Sequence, residues 1–406
     1  MRKLLSVLLA GAFIVSAAGA LSACNRTEAS GIEQKVEAAA TMTEDELIAE
    51  AAKETGKFVA YGNSSRIVDA MEGFVAKYGT QLNLSSSNAA ASKQTDTEIF
   101  TLIDTESKAS SNTQNASMVL IQDSASLDLY RTSTDLFYNY VPASLGSNIS
   151  ESDKVPLAQQ YINKLFMWNN QGSDVPEFSN VWELTEDTYK DKIFFKSPKS
   201  EQVNMNFLIM LTGEEWSGKL EDAYLALNNN TAADDVGSGK KYENYGYKWI
   251  SEFIANCNFS INSDTTMAQN LSKPENAGRM GLFVLSKLRD DSVLTENLQV
   301  AAWNEGSDNN YVKIEPFAGF MYALYAQLAS HGPRPYTAML FINYLMTAEG
   351  FAPWASLGGY SSNSSIPVTE GDSELSFWRD NLVFEDGKYI ISVKTKVEDY
   401  INGLLK

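Results

Sequence analysis

"TEDELIAEAAKETGKFVAYGNSSRIVDAMEGFVAKYG", residues 43–79, decides the fold class. Thr43 with Glu46 three residues on is a capping box, in which each side chain satisfies the other residue's backbone N–H. Leu47, Ile48 and Ala51 then recur at helical spacing, and Gly56 closes the helix. Lys57 to Tyr61 reads as a strand, Gly62-Asn63-Ser64-Ser65 as a turn, and Ile67, Val68, Met71, Phe74 and Val75 as one face of a second helix.

The same unit recurs downstream. Thr80–Ser85 reads as a strand, Ile99, Leu102 and Ile103 share one face of a helix starting near Gln94, and "SMVLIQD" (117–123) is a continuous apolar strand. Strands alternating with helices, some of them apolar throughout, predict an α/β protein with a mostly parallel sheet covered on both faces. Ligands of such sheets bind beyond the carboxyl ends of the strands. Those ends carry Asn63, Ser64 and Ser65, then Ser87, then Asp123 and Ser124. A strand-to-helix turn presents free N–H groups and a positive dipole end to an oxyanion, although Asn and Ser are equally the preferred helix caps.

Ahead of this unit, Met1-Arg2-Lys3 gives a short positive end and Leu4 through Ala20 runs apolar and uncharged, the layout of an export signal. The run is short for a membrane span. It ends in Leu21-Ser22-Ala23-Cys24, which resembles the lipobox of bacterial lipoproteins, where the cysteine is lipidated. The resemblance implies a leader over 1–23 and an acyl anchor on Cys24; an ordinary signal peptide cut after a small-x-small site is the alternative. Two or three acyl chains, at about 0.8 kcal/mol per buried methylene, hold a domain on a membrane almost permanently. Residues 24–42 are rich in Glu, Ala, Thr and Ser with few large apolar groups, and predict a flexible tether.

Composition narrows the function classes. The formal charge of −19 becomes −21 once Arg2 and Lys3 leave, which disfavours nucleic acid and anionic lipid as partners. No second apolar run is long enough to span a bilayer, so membrane contact is expected through the anchor only. Cys257 is the sole cysteine besides Cys24 and His331 the sole histidine, so a His/Cys zinc cluster cannot be assembled and no metal or other cofactor is expected. A Cys257–His331 nucleophile pair is formally possible, but a lone cysteine more often serves as a small core residue. "GSGKKY" (237–242) lacks the first glycine and the Ser/Thr of a phosphate-binding loop, and "GNSSR" (62–66) is no nucleophile turn. No catalytic constellation emerges, and the chain is read as a non-enzyme.

The segment 47–79 resembles the opening of bacterial extracellular solute-binding proteins of the ferric-ion-binding branch, the receptors of ABC importers. Residues 166–198 ("FMWNNQGSDVPEFSNVWELTEDTYKDKIFFKSP"), 277–290 ("AGRMGLFVLSKLRD") and 331–350 ("HGPRPYTAMLFINYLMTAEG") are similar to later segments in the same order. The resemblance implies a type II periplasmic-binding-protein-like fold: two α/β lobes joined by hinge strands, a small solute closed between them, and permease subunits as partners of a monomeric, lipid-anchored, extracytoplasmic receptor. It places crossings near Asp123 and Gln299–Trp303, giving a first lobe of 43–123 plus about 300–347 and a second of 124–299 plus about 348–406. It puts Trp168 and Asn169 at the cleft, a core tryptophan being the alternative for Trp168. Ser197-Pro198-Lys199-Ser200 precedes a helix carrying Phe207, Leu208, Met210 and Leu211, which puts Ser197 and Ser200 at a second strand-to-helix turn.

One departure bears on the ligand. Ferric-binding members carry adjacent tyrosines after the strand that "GLFVLS" (281–286) resembles, whereas this chain reads Ser286-Lys287-Leu288-Arg289 and has no Tyr-Tyr pair. A lysine and an arginine attract phosphate or carboxylate and repel a bare cation. If the segment is a strand, Lys287 and Arg289 share a face, which could be the solvent face. Tyr242, Tyr245 and Tyr247, followed by Trp249, Ile250, Phe253 and Ile254, fit the start of a core helix better than an iron site. A small polar anion, such as a sugar phosphate, is therefore the expected solute; ferric iron is the runner-up, and an enzyme or a surface adhesin are the readings from other classes.

Overall fold

The computed structural model describes residues 31–171, 179–301 and 314–405. Cys24, the leader and Trp303 lie outside them. The first residues described already depart from the expected tether: Gly31–Ala39 form a helix, α1, whose Ile32 and Ala39 are buried against the protein. Val36 packs on the same core and Lys35 lies over the Tyr336 ring, contacts that average composition cannot reveal.

The capping box forms as the spacing requires, Glu46 N donating to Thr43 Oγ1 at 3.3 Å and Thr43 N to Glu46 Oε2 at 2.8 Å. It starts α2 (Glu44–Ala51), followed by strand β1 (Phe58–Gly62) and helix α3 (Arg66–Leu82). The strand expected over Thr80–Ser85 is instead the last turn of α3 and its exit. Leu82 is fully buried, which rewards one more helical turn, and Asn83 ends the helix at φ 52, a left-handed conformation that Asn tolerates. Strand β2 (Ala89–Lys93) follows a turn in which Ser85 N donates to Asn88 Oδ1 at 2.8 Å. A second capping box, Thr95 with Glu98, opens α4 (Asp96–Ser107), and β3 (Ala116–Ile121) and α5 (Ser124–Ser133) complete this half.

After a short β4 (Phe137–Tyr138), the 12-residue β5 (Ala158–Asn169) begins a second set: β6 (Ile193–Phe195), α6 (Gln202–Met210), α7 (Glu214–Leu227), α8 (Tyr245–Asn256), β7 (Cys257–Asn258), α9 (Asp264–Leu271), β8 (Met280–Val284) and β9 (Leu298–Val300). The chain closes with β10 (Gly319–Ala329), α10 (Pro335–Leu345), α11 (Ala348–Phe351), β11 (Gly359–Ser361), α12 (Leu375–Asn381), β12 (Val383–Phe384) and α13 (Gly387–Leu404).

All strands join one sheet with the central order β2-β1-β3-β10-β5-β8-β6-β7. Both outer trios are parallel, β2-β1-β3 and β8-β6-β7. Between them β10 and β5 run antiparallel to each other and to their outer neighbours. The sheet is thus mixed where a mostly parallel one was expected, because two long strands cross its middle.

The apolar interior divides into separate clusters. One takes α1, α2, α3, α10, α11 and the inner residues of β1 and β3; a satellite beside it takes Ile99, Phe100 and Ile103 of α4. Another takes β6, α6, α8, β8 and α13. They divide β10 itself: Phe320 to Ala323 belong to the second, and Leu324, Ala326 and Leu328 to the first.

Candidate functional site

The register of the sheet determines which residues can meet. Gly62 of β1 pairs with Lys93 of β2, so the turn Asn63-Ser64-Ser65 and the Lys93 side chain leave the sheet at the same end. Ser87, which precedes β2, therefore belongs to the opposite end, about 20 Å away at 3.3 Å per residue. Ser87 thus does not meet the turn Asn63-Ser64-Ser65, and Lys93 stands at that end of the sheet instead.

Antiparallel pairing relocates two further candidates. Lys164 of β5 stands opposite Val284, at the end of β8 that leads to Ser286 and Lys287, whereas Trp168 stands opposite Met280 at the other end. Trp168 is buried, and Asn169 Nδ2 donates to the backbone oxygens of Leu271 and Lys273 at 2.7 and 2.8 Å. Both are structural residues of the second core. Toward the Ser286 end β5 carries the buried polar residues Asn163 and Lys164.

Lys164 is wholly buried and held by three partners: Glu201 Oε2 at 2.6 Å, Asn204 Oδ1 at 3.0 Å and Asp264 Oδ2 at 3.4 Å. Burial by itself would depress the ammonium, but Asp264 and Glu201 outweigh it and raise the lysine above its ordinary range. Glu201 also meets Lys196 at 3.3 Å, and these two lysines overcome its burial and hold it below the carboxylate range. Ser197 and Ser200 form the turn just before, Ser200 Oγ donating to the Ser197 carbonyl at 2.9 Å. Lys199 points away, to the Leu405 carbonyl at 3.1 Å.

Beside this group lies a set of cations that make no ion pair among the described residues, although Asp264 draws on Lys287 and Asp69 on Arg66. Ser286 and Lys287 sit in a 3₁₀ turn, Leu285–Arg289, so the strand alternation expected for Lys287 and Arg289 does not apply. Burial lowers Lys287, and Arg66, Arg289 and Lys93 lower it further against the pull of Asp264. Arg66, at the start of α3, is pushed down to about 10, first by burial and then by Arg289. Among the described residues, none of Arg66, Lys93, Lys287 and Arg289 makes an ion pair; Arg289 donates to Ser356 Oγ at 2.8 Å. Ser65 makes no capping bond to α3, and Ser64 Oγ accepts weakly from Arg66 N at 3.3 Å.

The third group is acidic. Asp96 accepts from Gln122 N and Asp123 N at 3.2 and 2.9 Å, with Asn63 beside it, and is pushed up to about 7 by burial and then by Asp123. Asp123 caps α5, Ser126 N donating to its Oδ1 at 3.1 Å, while Ser124 Oγ donates to Glu385 Oε2 at 3.0 Å. Glu385, between β12 and α13, is pushed up to about 8 by burial and then by Asp123. Tyr322 of β10 is buried, and burial followed by the charges of Glu201, Asp264, Glu385 and Asp96 raises its phenol well above the ordinary range.

The remaining candidates fall elsewhere. Tyr242, Tyr245 and Tyr247 are buried at and just before the start of α8, as expected for core residues. Cys257 is buried on β7 at one edge of the sheet, and His331 follows β10 beside the other trio, so they form no pair. A surface cavity of about 620 Å³ lined by Gly237–Glu243, Tyr247, Lys396 and Tyr400 shares no residue with the cationic or acidic groups.

No protein-family profile and no curated protein matches the chain. Solved structures do match in fold. Iron-bound HitA from Pseudomonas aeruginosa aligns with 86% of this chain and 99% of its own, at TM-score 0.60 and 11% identity. The Trichodesmium protein IdiA (FutA), solved with iron and citrate, aligns over 86% and 99% at TM-score 0.58 and 12% identity. AfuA from Actinobacillus pleuropneumoniae, with fructose-6-phosphate bound, aligns over 86% and 97% at TM-score 0.57 and 14% identity. The fold is that of type II periplasmic binding proteins.

Proposed function

We propose that this chain is a non-enzymatic, extracytoplasmic solute receptor of an ABC importer that takes a small polar anion, such as a sugar phosphate, between its two halves. The observation that carries the reading is the cluster Arg66, Lys93, Lys287 and Arg289, which makes no ion pair among the described residues, in which Arg66, Arg289 and Lys93 all depress Lys287, and which is contributed from both sides of the central strands. Like charges held together cost free energy unless an anion joins them, and a phosphate or carboxylate can accept charge-assisted hydrogen bonds from several at once. The split interior supports a first lobe drawn from residues 32–120, 140–157 and 324–354 and a second from 158–323 and 360–401, with Ala125 of α5 joining the second interior and β5 and β10 forming the hinge. Among the described residues no helix is long and apolar enough to cross a membrane, so we assign membrane attachment to lipid on Cys24.

Ferric iron remains the second reading because HitA and the Trichodesmium protein were solved with it. Against it stand the four cations and the absence of a Tyr-Tyr pair from the sequence. Titration calorimetry of the purified protein with phosphate, sugar phosphates, organic acids and ferric citrate decides between them. Binding of an anion that Lys287→Ala weakens supports the proposal; a phenolate-coloured ferric complex indifferent to Lys287→Ala overturns it.

A further inference from the structure

The side chains of β5 sort onto two faces where the halves meet. Alternation along the strand sends Lys164 and Tyr161 to opposite sides of the sheet. Lys164 stands opposite Val284, which leads into the turn of Lys287, and faces Glu201 and Asp264. Tyr161, on the reverse side, meets a second ion pair. Its hydroxyl donates to Asp153 Oδ1 at 2.6 Å, and Arg379 Nη2 donates to the same carboxylate, 3.2 Å from Oδ2. The Arg379 guanidinium lies over the rings of Tyr161 and Phe384, 5.0 and 4.9 Å from their centres.

The two charged partners belong to different halves. Asp153 is buried in a 3₁₀ turn between Ile149 and Leu157 of the first interior. Arg379 is on α12, next to Trp378 of the second. Neither is a member of the cationic set, and β5 itself separates the pair from Lys164.

We infer that Asp153 and Arg379 form a clasp behind the hinge strands that sets solute affinity without touching the solute. The inference rests on the reading above that the two halves close on a solute. A rotation about β5 and β10 that brings the halves together on the Lys164 face draws them apart on the Tyr161 face. The clasp therefore favours the open arrangement. Apparent affinity scales with the fraction of molecules that are closed, so removing the clasp raises that fraction and tightens binding. A pair that only supported the fold would leave affinity unchanged or weaken it.

The test combines calorimetry, with inorganic phosphate, glucose 6-phosphate and citrate as probes, and single-molecule energy transfer in the unliganded protein between dyes at the exposed positions Lys108 and Lys273, one on each half. Arg379→Gln and Asp153→Asn should each bind the tightest of these probes about three- to tenfold more strongly than the parent protein, and each should show a larger closed population before any anion is added. The double variant should gain no more than either single one, because both remove the same bond. If Asp153→Asn fails to fold, Arg379→Gln carries the test, since the Arg379 side chain is 38% exposed. An affinity that does not rise in Arg379→Gln, or a closed population that does not grow, overturns the clasp while the anion reading stands. If the parent binds none of the three anions, the anion reading falls and energy transfer alone decides: an unchanged distribution in Arg379→Gln overturns the clasp, and a larger closed population upholds it.

Discussion

The ammonium of Lys164, wholly buried on the central strand β5, donates to the Glu201 carboxylate at 2.6 Å. One end of this pair is fixed to a strand shared by the two halves, and the other to the turn that opens α6. Removing either partner leaves a buried charge with too few neighbours. Lys164→Met is expected to destabilise the protein by about 3–5 kcal/mol, and adding Glu201→Gln should restore part of that loss. Urea denaturation of the single and double variants measures both; an unchanged midpoint for Lys164→Met contradicts the assignment.

Arg66→Ala and Lys287→Ala each remove one unpaired cation, and each should weaken anion binding by about 1.5–3 kcal/mol, or roughly tenfold to somewhat over a hundredfold. Relieved repulsion should leave the unliganded protein as stable as before or slightly more so. Ser87→Ala, at the opposite end of the sheet, should leave affinity unchanged. Calorimetry together with thermal melting separates these outcomes.

Glu385 at about 8 and Asp96 at about 7 titrate above the ordinary carboxylate range. The unfolded chain gives up these protons first as pH rises, so between about pH 5 and 8 the native state binds more protons and stability falls with increasing pH. Each group contributes a slope on the order of 1 kcal/mol per pH unit within its own window. Glu385→Gln should flatten the part of the curve that extends to about pH 8. Denaturation midpoints at half-unit pH steps would expose the difference, and identical curves for the two proteins would refute it.

On the proposed anchoring, Cys24→Ser should release the protein from membranes or block its processing, with ligand affinity unaltered, since the proposed lipid and the proposed solute site use separate parts of the chain. Fractionation of cells expressing the variant tests this. Firm retention in the membrane fraction rules out the acyl anchor.

Local signals were readable in the sequence and long-range ones were not. The capping box of Thr43 and Glu46 needs only residues within one turn, and it forms as written. Whether α3 stopped before Thr80 depended on a burial site for Leu82 that distant residues create, so β2 was placed too early and Lys93 was missed. Trp168 and Asn169 lie at the end of β5 away from Ser286, a placement set by pairing partners over a hundred residues away. Lys164 did leave a trace, a single lysine within the otherwise uncharged run Ala158–Asn169. Glu385 left none, since its neighbours Asn206 and Ser124 come from other parts of the chain.

The division of β10 between two interiors has a consequence for biosynthesis. The first interior contains residues from Ile32 to Leu157, but it is completed by Leu324, Ala326, Leu328 and α10. A ribosome that has made the first 300 residues has therefore not yet supplied the strand that lies between β3 and β5 or the helix that packs on α2. The emerging chain holds its early apolar segments without their partners until the last quarter appears. A polypeptide built in this order cannot complete its first interior before its last quarter is made, so under the proposed export the chain would reach the membrane with that interior still open.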